Sequence, residues 1–172
     1  MNRIVIFGGT GAGKSTVARA LGRKLGIAVS HLDALYYEPG WQAPAPDKFR
    51  ARVMEAVSGE RWISEGNFLQ LTADIRLPRA DGIVLVDQPR CVRLWRAVRR
   101  GLLDRGRARP DLAPGCSDHV NWELIKDVMK FDHQYRPMIA AALAAWAPAT
   151  PFIRLRGDRA VAGFLGSIPD CR

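Results

Sequence analysis

Residues Gly8-Gly9-Thr10-Gly11-Ala12-Gly13-Lys14-Ser15 fit the pattern G-x-x-x-x-G-K-[ST] without a mismatch, and Thr16 follows directly. The chemistry of this spacing is the cradling of a phosphate chain. Glycines let the backbone turn tightly, so that successive N–H groups point into one concavity. A helix starting at the lysine aims its positive end at the same anion. Lys14 then reaches the β- and γ-phosphates of a nucleotide, and the Ser15 hydroxyl ligates Mg2+. A chance match in a chain this long is on the order of one in a hundred or less. Gly8 through Thr16 are therefore the candidate nucleotide-binding residues, a loop of the Walker A type.

Acids stand where strands are expected to end. Asp33 follows His31-Leu32, Glu65 closes R-W-I-S-E, and Asp87 closes G-I-V-L-V-D. A carboxylate at Asp33 can take a proton from an acceptor hydroxyl or hold Mg2+ through water; a turn or cap residue is the other reading. Glu65, an acid after an apolar run, suits a magnesium-assisting residue. Asp87 is followed by Gln88-Pro89 and reads as the N-cap of a helix from Arg90. Tyr36, Tyr37 and Trp41 come just after Asp33, as walls of an acceptor pocket or as ordinary packing.

Residues 90–109 hold eight arginines, opposed only by Asp104. Arg93, Arg96 and Arg100 can share a helix face. Arg105, Arg107 and Arg109 fall in a Gly- and Pro-rich loop at about 105–117. There, a lid could exclude water and stabilise charge on a transferring phosphoryl group. A solvated basic surface and a nucleic-acid contact strip are the other readings. The stretch has few aromatics for base stacking, since Trp95 is expected in the core. Cys116, Asp118 and His119 are too few for a structural zinc site, which closes with four ligands.

The elements that must position these groups alternate. Strands are expected at Arg3–Phe7, Ala28–Asp33, Arg61–Glu65, Gly82–Asp87 and Phe152–Arg156. Helices are expected at Lys14–Leu25, Pro46–Val57, Arg90–Asp104 and about His119–Ala145, bent or broken at Pro137. A closing helix follows Gly157-Asp158. Val92, Trp95, Val98 and Leu102 mark the inward face of the Arg90 helix, and Trp122, Ile125, Met129 and Trp146 also read as core. Strand–helix alternation implies an α/β fold with a parallel sheet and helices on both faces. Ligands of such sheets bind beyond the carboxyl ends of the strands, where the glycines and acids collect.

The 172 residues are 48 % hydrophobic and 25 % charged, ordinary for a globular chain and sized for one domain, 1–172. No apolar run approaches the roughly 18 residues of a membrane span. The N-terminus lacks the basic, apolar and cleavage regions of a signal peptide. Three scattered cysteines make no disulfide framework. The expectation is a cytoplasmic protein with no membrane contact. The net charge of +9, carried by 21 arginines and only five lysines, suggests an anionic partner.

Guanine-nucleotide switches usually carry N-K-x-D and transporter ATPases L-S-G-G-Q; both motifs are absent. What remains is the small kinase-like group, in which a second substrate and a lid complete the site. The chain resembles the adenylate-kinase-like P-loop proteins labelled DNA topology modulation proteins. The resemblance rests on G-G-T-G-A-G-K-S-T, His31–Tyr37 with Pro39-Gly40-Trp41, and Trp62–Asn67. It continues through Arg76–Asp81, Asp87–Arg90 and Arg105–Asp111, from Met1 to about Arg136. It implies the nucleoside-monophosphate-kinase fold, a five-stranded sheet of order 2-3-1-4-5, and ATP with Mg2+. Adenylate kinases end their third strand Asp-Gly-Phe-Pro-Arg, where the arginine holds the acceptor phosphate. Here Glu65-Gly66-Asn67-Phe68 lacks that arginine, which leaves Arg76 or Arg79 to supply the charge.

The leading expectation is an ATP- and Mg2+-dependent phosphotransferase acting on a small, unidentified acceptor. In it Lys14 and Ser15 hold phosphates and metal, Glu65 assists the metal through water, Asp33 serves the acceptor, and Arg105, Arg107 and Arg109 close over the phosphates. The alternative, from the charge and the arginine stretch, is an ATP-gated nucleic-acid-binding protein with at most slow hydrolysis.

Overall fold

The computed structural model describes residues 1–103 and 122–170. The loop expected at about 105–117 lies outside these residues, with Arg105, Arg107 and Arg109, and so do Cys116, Asp118 and His119. The elements in order are β1 (Arg3–Gly8), α1 (Lys14–Leu25), β2 (Val29–His31), α2 (Leu32–Tyr36), α3 (Pro46–Ala56), β3 (Trp62–Glu65) and α4 (Leu69–Arg76). A 3-10 turn (Leu77–Arg79), β4 (Gly82–Asp87), α5 (Arg90–Leu103) and α6 (Trp122–Lys130) follow. A π-helical turn (Phe131–Tyr135), α7 (Arg136–Trp146), β5 (Phe152–Arg156) and α8 (Gly157–Ser167) complete the chain.

The five strands form one parallel sheet of order β2-β3-β1-β4-β5. Side chains alternate across it with period two, so the unbroken apolar runs of β1 and β4 feed two cores. Val5, Phe7, Ile83 and Leu85 pack towards α4 and α7. Ile4, Ile6, Val84 and Val86 pack towards α1 and α8. α1 stops at Gly26, whose left-handed backbone caps it with an N–H to the Gly22 carbonyl. Among the described residues, no helix is long and apolar enough to cross a membrane.

Four sequence expectations shift. β2 ends at His31, so Asp33 occupies the first turn of α2 rather than the end of a strand. The helix expected to break at Pro137 instead widens into the π turn just before it. Proline cannot donate to the carbonyl four residues back, His133, and its ring would strike it; the wider turn relieves both.

The inward face of α5 is not the expected one. Arg93, Ala97 and Gly101 are buried, whereas Trp95 is 59 % exposed and Leu102 is also exposed. The reason is the phosphate loop, which packs directly on the backbone of α5. A Cβ at Gly11 would fall on the Arg93 carbonyl oxygen, and one at Gly9 on its guanidinium. Finally, Trp122, Met129 and Trp146 are exposed instead of core. The inward positions of α6, the π turn and α7 are Val128, Phe131 and Ile139.

Gly11 and Gly13 both have left-handed backbones, φ 78° and 90°, but only Gly11 faces α5; nothing lies within 4 Å of a Cβ at Gly13. Gly13→Ala should therefore cost only the left-handed strain, about 1–2 kcal/mol. Gly11→Ala should add overpacking of about 1–3 kcal/mol. Urea denaturation of both variants checks this; equal losses would mean that α5 yields freely to the loop.

Candidate functional site

The phosphate loop joins β1 to α1 and closes on itself through the Ala12 N–H to the Gly9 carbonyl, 3.0 Å. The first turn of α1 contains no acid, so its positive end is not neutralised by its own side chains. Thr16 is exposed on that turn.

The start of the loop is clamped by Asn67. Its Nδ2 donates to the Gly8 carbonyl (3.1 Å), and its Oδ1 accepts from the Gly8 N–H (3.3 Å). Asn67 is itself fixed by Arg76, which donates to the carbonyls of Asn67 (2.8 Å) and Gly66 (3.1 Å) and to Thr72 Oγ1 (3.0 Å). The guanidinium is fully buried over the Phe7 ring, 5.3 Å from its centroid. Burial pushes its pKa down to about 9 while the Glu65 charge pulls it back, so it stays cationic at neutral pH. This corrects the expectation that Arg76 or Arg79 supplies charge to an acceptor. Arg76 braces the turn after β3 from behind, and Arg79 donates to the Ser58 carbonyl at the surface.

Glu65 ends β3 beneath the loop and is buried. His31 Nδ1 lies 2.7 Å from its Oε2, and Lys14 Nζ lies 3.7 Å from its Oε1. Burial alone would raise the carboxyl pKa; the His31 hydrogen bond and the Lys14 charge, helped by His31 and Ser15, overturn this and hold it low. Oε1 is buried yet has no partner at hydrogen-bonding geometry. A spare carboxylate oxygen beside the Ser15 hydroxyl is a hard oxygen-donor set, which fits Mg2+.

Next to Lys14 opens a cavity of about 280 Å³. Asp33, Tyr37, Asn67, Asp127 and Tyr135 line it, with Phe68, Phe131 and Met138 as apolar wall. Of the three aromatics after Asp33, only Tyr37 lines the cavity. Tyr36 packs edge-on to Phe49, and Trp41 sits against Tyr37 at the surface. Phe68 has a positive φ of 26°, uncommon for a residue with a side chain, and is held there by Tyr36 and Phe49 at 4.7 and 5.0 Å. Burial pushes the Tyr37 phenol up to about 12, with Asp33, Tyr36, Asp127 and Tyr135 adding to the rise. Burial, and then the Asp127 charge, raises the Tyr135 phenol as well.

On the other side of the loop, three of the five described arginines of the stretch pair with acids of the molecule. Arg93 is buried and donates to the Gln88 carbonyl (3.1 Å), the Val128 carbonyl (3.0 Å) and Asp132 (2.7 Å). Arg90 and Arg136 also donate to Asp132, at 3.1 and 2.8 Å. Arg96 pairs with Asp158, which Gln88 also reaches. Asp87 accepts from Arg136 and Arg154 (2.9 and 2.7 Å), an ion-pair role in place of the expected helix cap. Arg99 stacks over the exposed Trp95, 5.2 Å from its ring centroid.

Thus the fold brings Lys14, Ser15, Glu65 and Asp33 to one place and sends Asp87 and Asp158 to another. Sequence reasoning missed His31, Asn67, Asp127 and Asp132 as parts of the site. His31 and Asn67 were visible only as neighbours of Asp33 and Glu65. Asp127 and Asp132 arrive from a distant helix, and no spacing rule links them to the loop.

No protein-family model matches the chain, and no curated protein is similar to it in sequence. Solved structures do match. A shikimate kinase from Acinetobacter baumannii, in complex with shikimate, superposes with a TM-score of 0.54 at 17 % identity, covering 98 % of this chain and 90 % of that one. A gluconokinase from Sinorhizobium meliloti 1021 gives 0.53 at 16 %, covering 98 % and 93 %. Together with the strand order, these neighbours show a P-loop kinase fold.

The Asn67 clamp is directly testable. Asn67→Asp sets a carboxylate oxygen against the Gly8 carbonyl and should destabilise by about 1–3 kcal/mol at neutral pH. Repulsion from the Gly8 carbonyl raises this carboxyl above its ordinary value of about 3.9 in the fold, so the deficit relative to wild type should shrink as pH falls towards that value and be smallest below it, because a protonated Asp regains a donor. Unfolding of both proteins at several pH values reads this out; a pH-independent difference would show that the donor to Gly8 is immaterial.

Proposed function

We propose that this chain is an ATP- and Mg2+-dependent phosphotransferase acting on the hydroxyl of a small acceptor, as a single cytoplasmic domain. One observation carries the proposal: the cavity lined by Asp33 opens onto Lys14 of the phosphate loop. Phosphate donor and acceptor would therefore meet at one point, with a base at hand. The P-loop kinase fold supports the reading.

In this mechanism Gly8–Thr16 and the start of α1 bind the phosphate chain, and Lys14 reaches its β- and γ-phosphates. Ser15 and Glu65 Oε1 would hold Mg2+, Glu65 through water, and His31 keeps that carboxylate turned towards the loop. When bound, Mg2+ would neutralise charge shared by the β- and γ-phosphate oxygens. The acceptor oxygen bonds to the γ-phosphorus as the bond from that phosphorus to the β–γ bridging oxygen breaks. The electron pair leaves with ADP, and the hydroxyl proton passes to Asp33. Arg105, Arg107 and Arg109 are proposed to close over the phosphates. The nucleic-acid alternative draws less support, because Arg90, Arg93 and Arg96 are committed to Asp132 and Asp158.

ADP release with Mg-ATP and a panel of hydroxyl acceptors tests this. Lys14→Ala should abolish turnover while keeping the fold, and wild-type turnover in that variant would sink the assignment. Asp33→Asn should leave ATP affinity nearly unchanged and slow transfer by about 10²–10⁴-fold, the usual worth of a positioned base. A large loss of ATP binding instead would make Asp33 part of the metal site.

A further inference from the structure

The charges around the acceptor cavity define what it can hold, given the phosphotransferase reading on which this inference rests. Among its described lining residues, the charged side chains are Lys14, Asp33 and Asp127. Lys14 belongs to the phosphate site and lies 3.7 Å from Glu65. Among the described residues, Arg76, Arg50 and Arg136 are turned elsewhere. Arg76 is spent on backbone carbonyls behind the turn after β3. Arg50 holds Asp74 with two hydrogen bonds, at 3.0 and 2.7 Å. Arg136 spans Asp87 and Asp132. Among the described residues, an acceptor bearing a carboxylate or phosphate would therefore meet two carboxylates and two phenols, with Lys14 committed to the phosphate site.

The other end of the cavity is suited to a cation. Asp127 is exposed and lines the cavity together with Tyr37 and Tyr135, on whose phenols its charge acts. The groups that act on its charge are Lys130, one turn along α6, and Glu123, which opposes Lys130 and is itself paired with Lys126. Partial burial raises the Asp127 carboxyl, with Glu123 adding to the rise. The phenols are raised by burial and by these acids. A positive charge arriving here would stabilise the Asp127 carboxylate, while the phenols stay neutral. Aromatic faces with a carboxylate are also the chemistry that holds ammonium groups. The volume, about 280 Å³, lies at the lower end of the roughly 300–1,000 Å³ usual for small-molecule sites, which suits a small acceptor.

We propose that the acceptor is a small alcohol carrying a protonated amine, its ammonium held at Asp127 with the rings of Tyr37 and Tyr135 and its hydroxyl presented to Asp33 beside Lys14. The amine is a spectator, because a protonated nitrogen has no lone pair for the γ-phosphorus. The product is the phosphate ester and ADP.

The test uses isosteres that differ in charge: glucosamine, glucose and glucuronate, and the shorter ethanolamine, ethylene glycol and glycolate. Two readouts separate this inference from the one beneath it. ADP release reports transfer, and saturation-transfer NMR on the free protein reports binding. The amines should bind best and should exceed their neutral isosteres in kcat/KM by about tenfold or more, the least that a charge-assisted hydrogen bond is worth. Asp127→Asn should raise KM for the amine by a similar factor with little change in kcat, and should leave the neutral isostere unaffected. Asp127→Lys should shift preference to the acids. Thermal unfolding verifies that both variants are folded. Transfer that favours the neutral or acidic members, unchanged by Asp127→Asn, would overturn the amine assignment and leave the kinase standing. Amine binding lost in Asp127→Asn, with no ADP release above the Lys14→Ala blank, would support the binding class and overturn phosphotransfer.

Discussion

A buried arginine under the phosphate loop is the contact on which the rest of the site is built. Arg93 has almost no exposed surface, yet its guanidinium reaches two backbone carbonyls and Asp132 and lies over the Phe131 ring, 4.9 Å from its centroid. A buried cation is tolerated only when it is paired and hydrogen-bonded in this way. The arrangement ties the end of β4, α6 and the π turn to the underside of Gly9 and Gly11. The loop is thereby fixed before any ligand arrives. On its opposite flank Arg76 works by the same principle through Asn67. Two buried guanidinium groups, from different helices, set the shape of one glycine-rich turn.

The layout of charge follows from those commitments. The chain is strongly basic, yet its arginines do not form a uniform coat. On the side of β4, β5 and α5 they are netted by Asp87, Asp132 and Asp158. On the side of α2 and α6 the cavity next to Lys14 carries carboxylates and phenols. Phosphate would be received against a cationic floor, and the second substrate against an anionic wall. Among the described residues the phosphate loop meets the cavity through Thr10 and Lys14, so each region can be selective for its own kind of ligand.

How much of this was legible beforehand depends on which physical rule each residue obeys. The parallel sheet was readable because the strands are apolar runs alternating with helical patterns, whereas its order was implied only by the family resemblance. The phosphate loop was readable because its mechanism needs a fixed spacing. The inward face of α5 was not. Hydrophobic periodicity places Trp95 and Leu102 inside, whereas the loop demands a close backbone approach and admits Ala97, Gly101 and a fully partnered Arg93. Asp87 was misread for a related reason: its partners, Arg136 and Arg154, come from elements 49 and 67 residues away. Asp127 carries no local signal, since its meaning depends on α6 bringing it to the same cavity as Asp33 and Tyr37.

The π turn joins these two regions along one continuous helical path. At its start Phe131 closes the core and Asp132 gathers arginines; at its end Tyr135 faces the cavity and Arg136 turns back to Asp87. Each residue of an α-helix advances the direction of a side chain by about 100°, so one extra residue in a turn sets the angular phase of all that follows. Deleting a single residue there would rotate α7 as a body, carrying Ile139 out of the core and changing both ligand-facing walls together. For this architecture, insertion and deletion in a few residues of one helix are a coarser control than substitution. They would rewrite the acceptor wall and the arginine net in one step, a coupling through rotation rather than through contact.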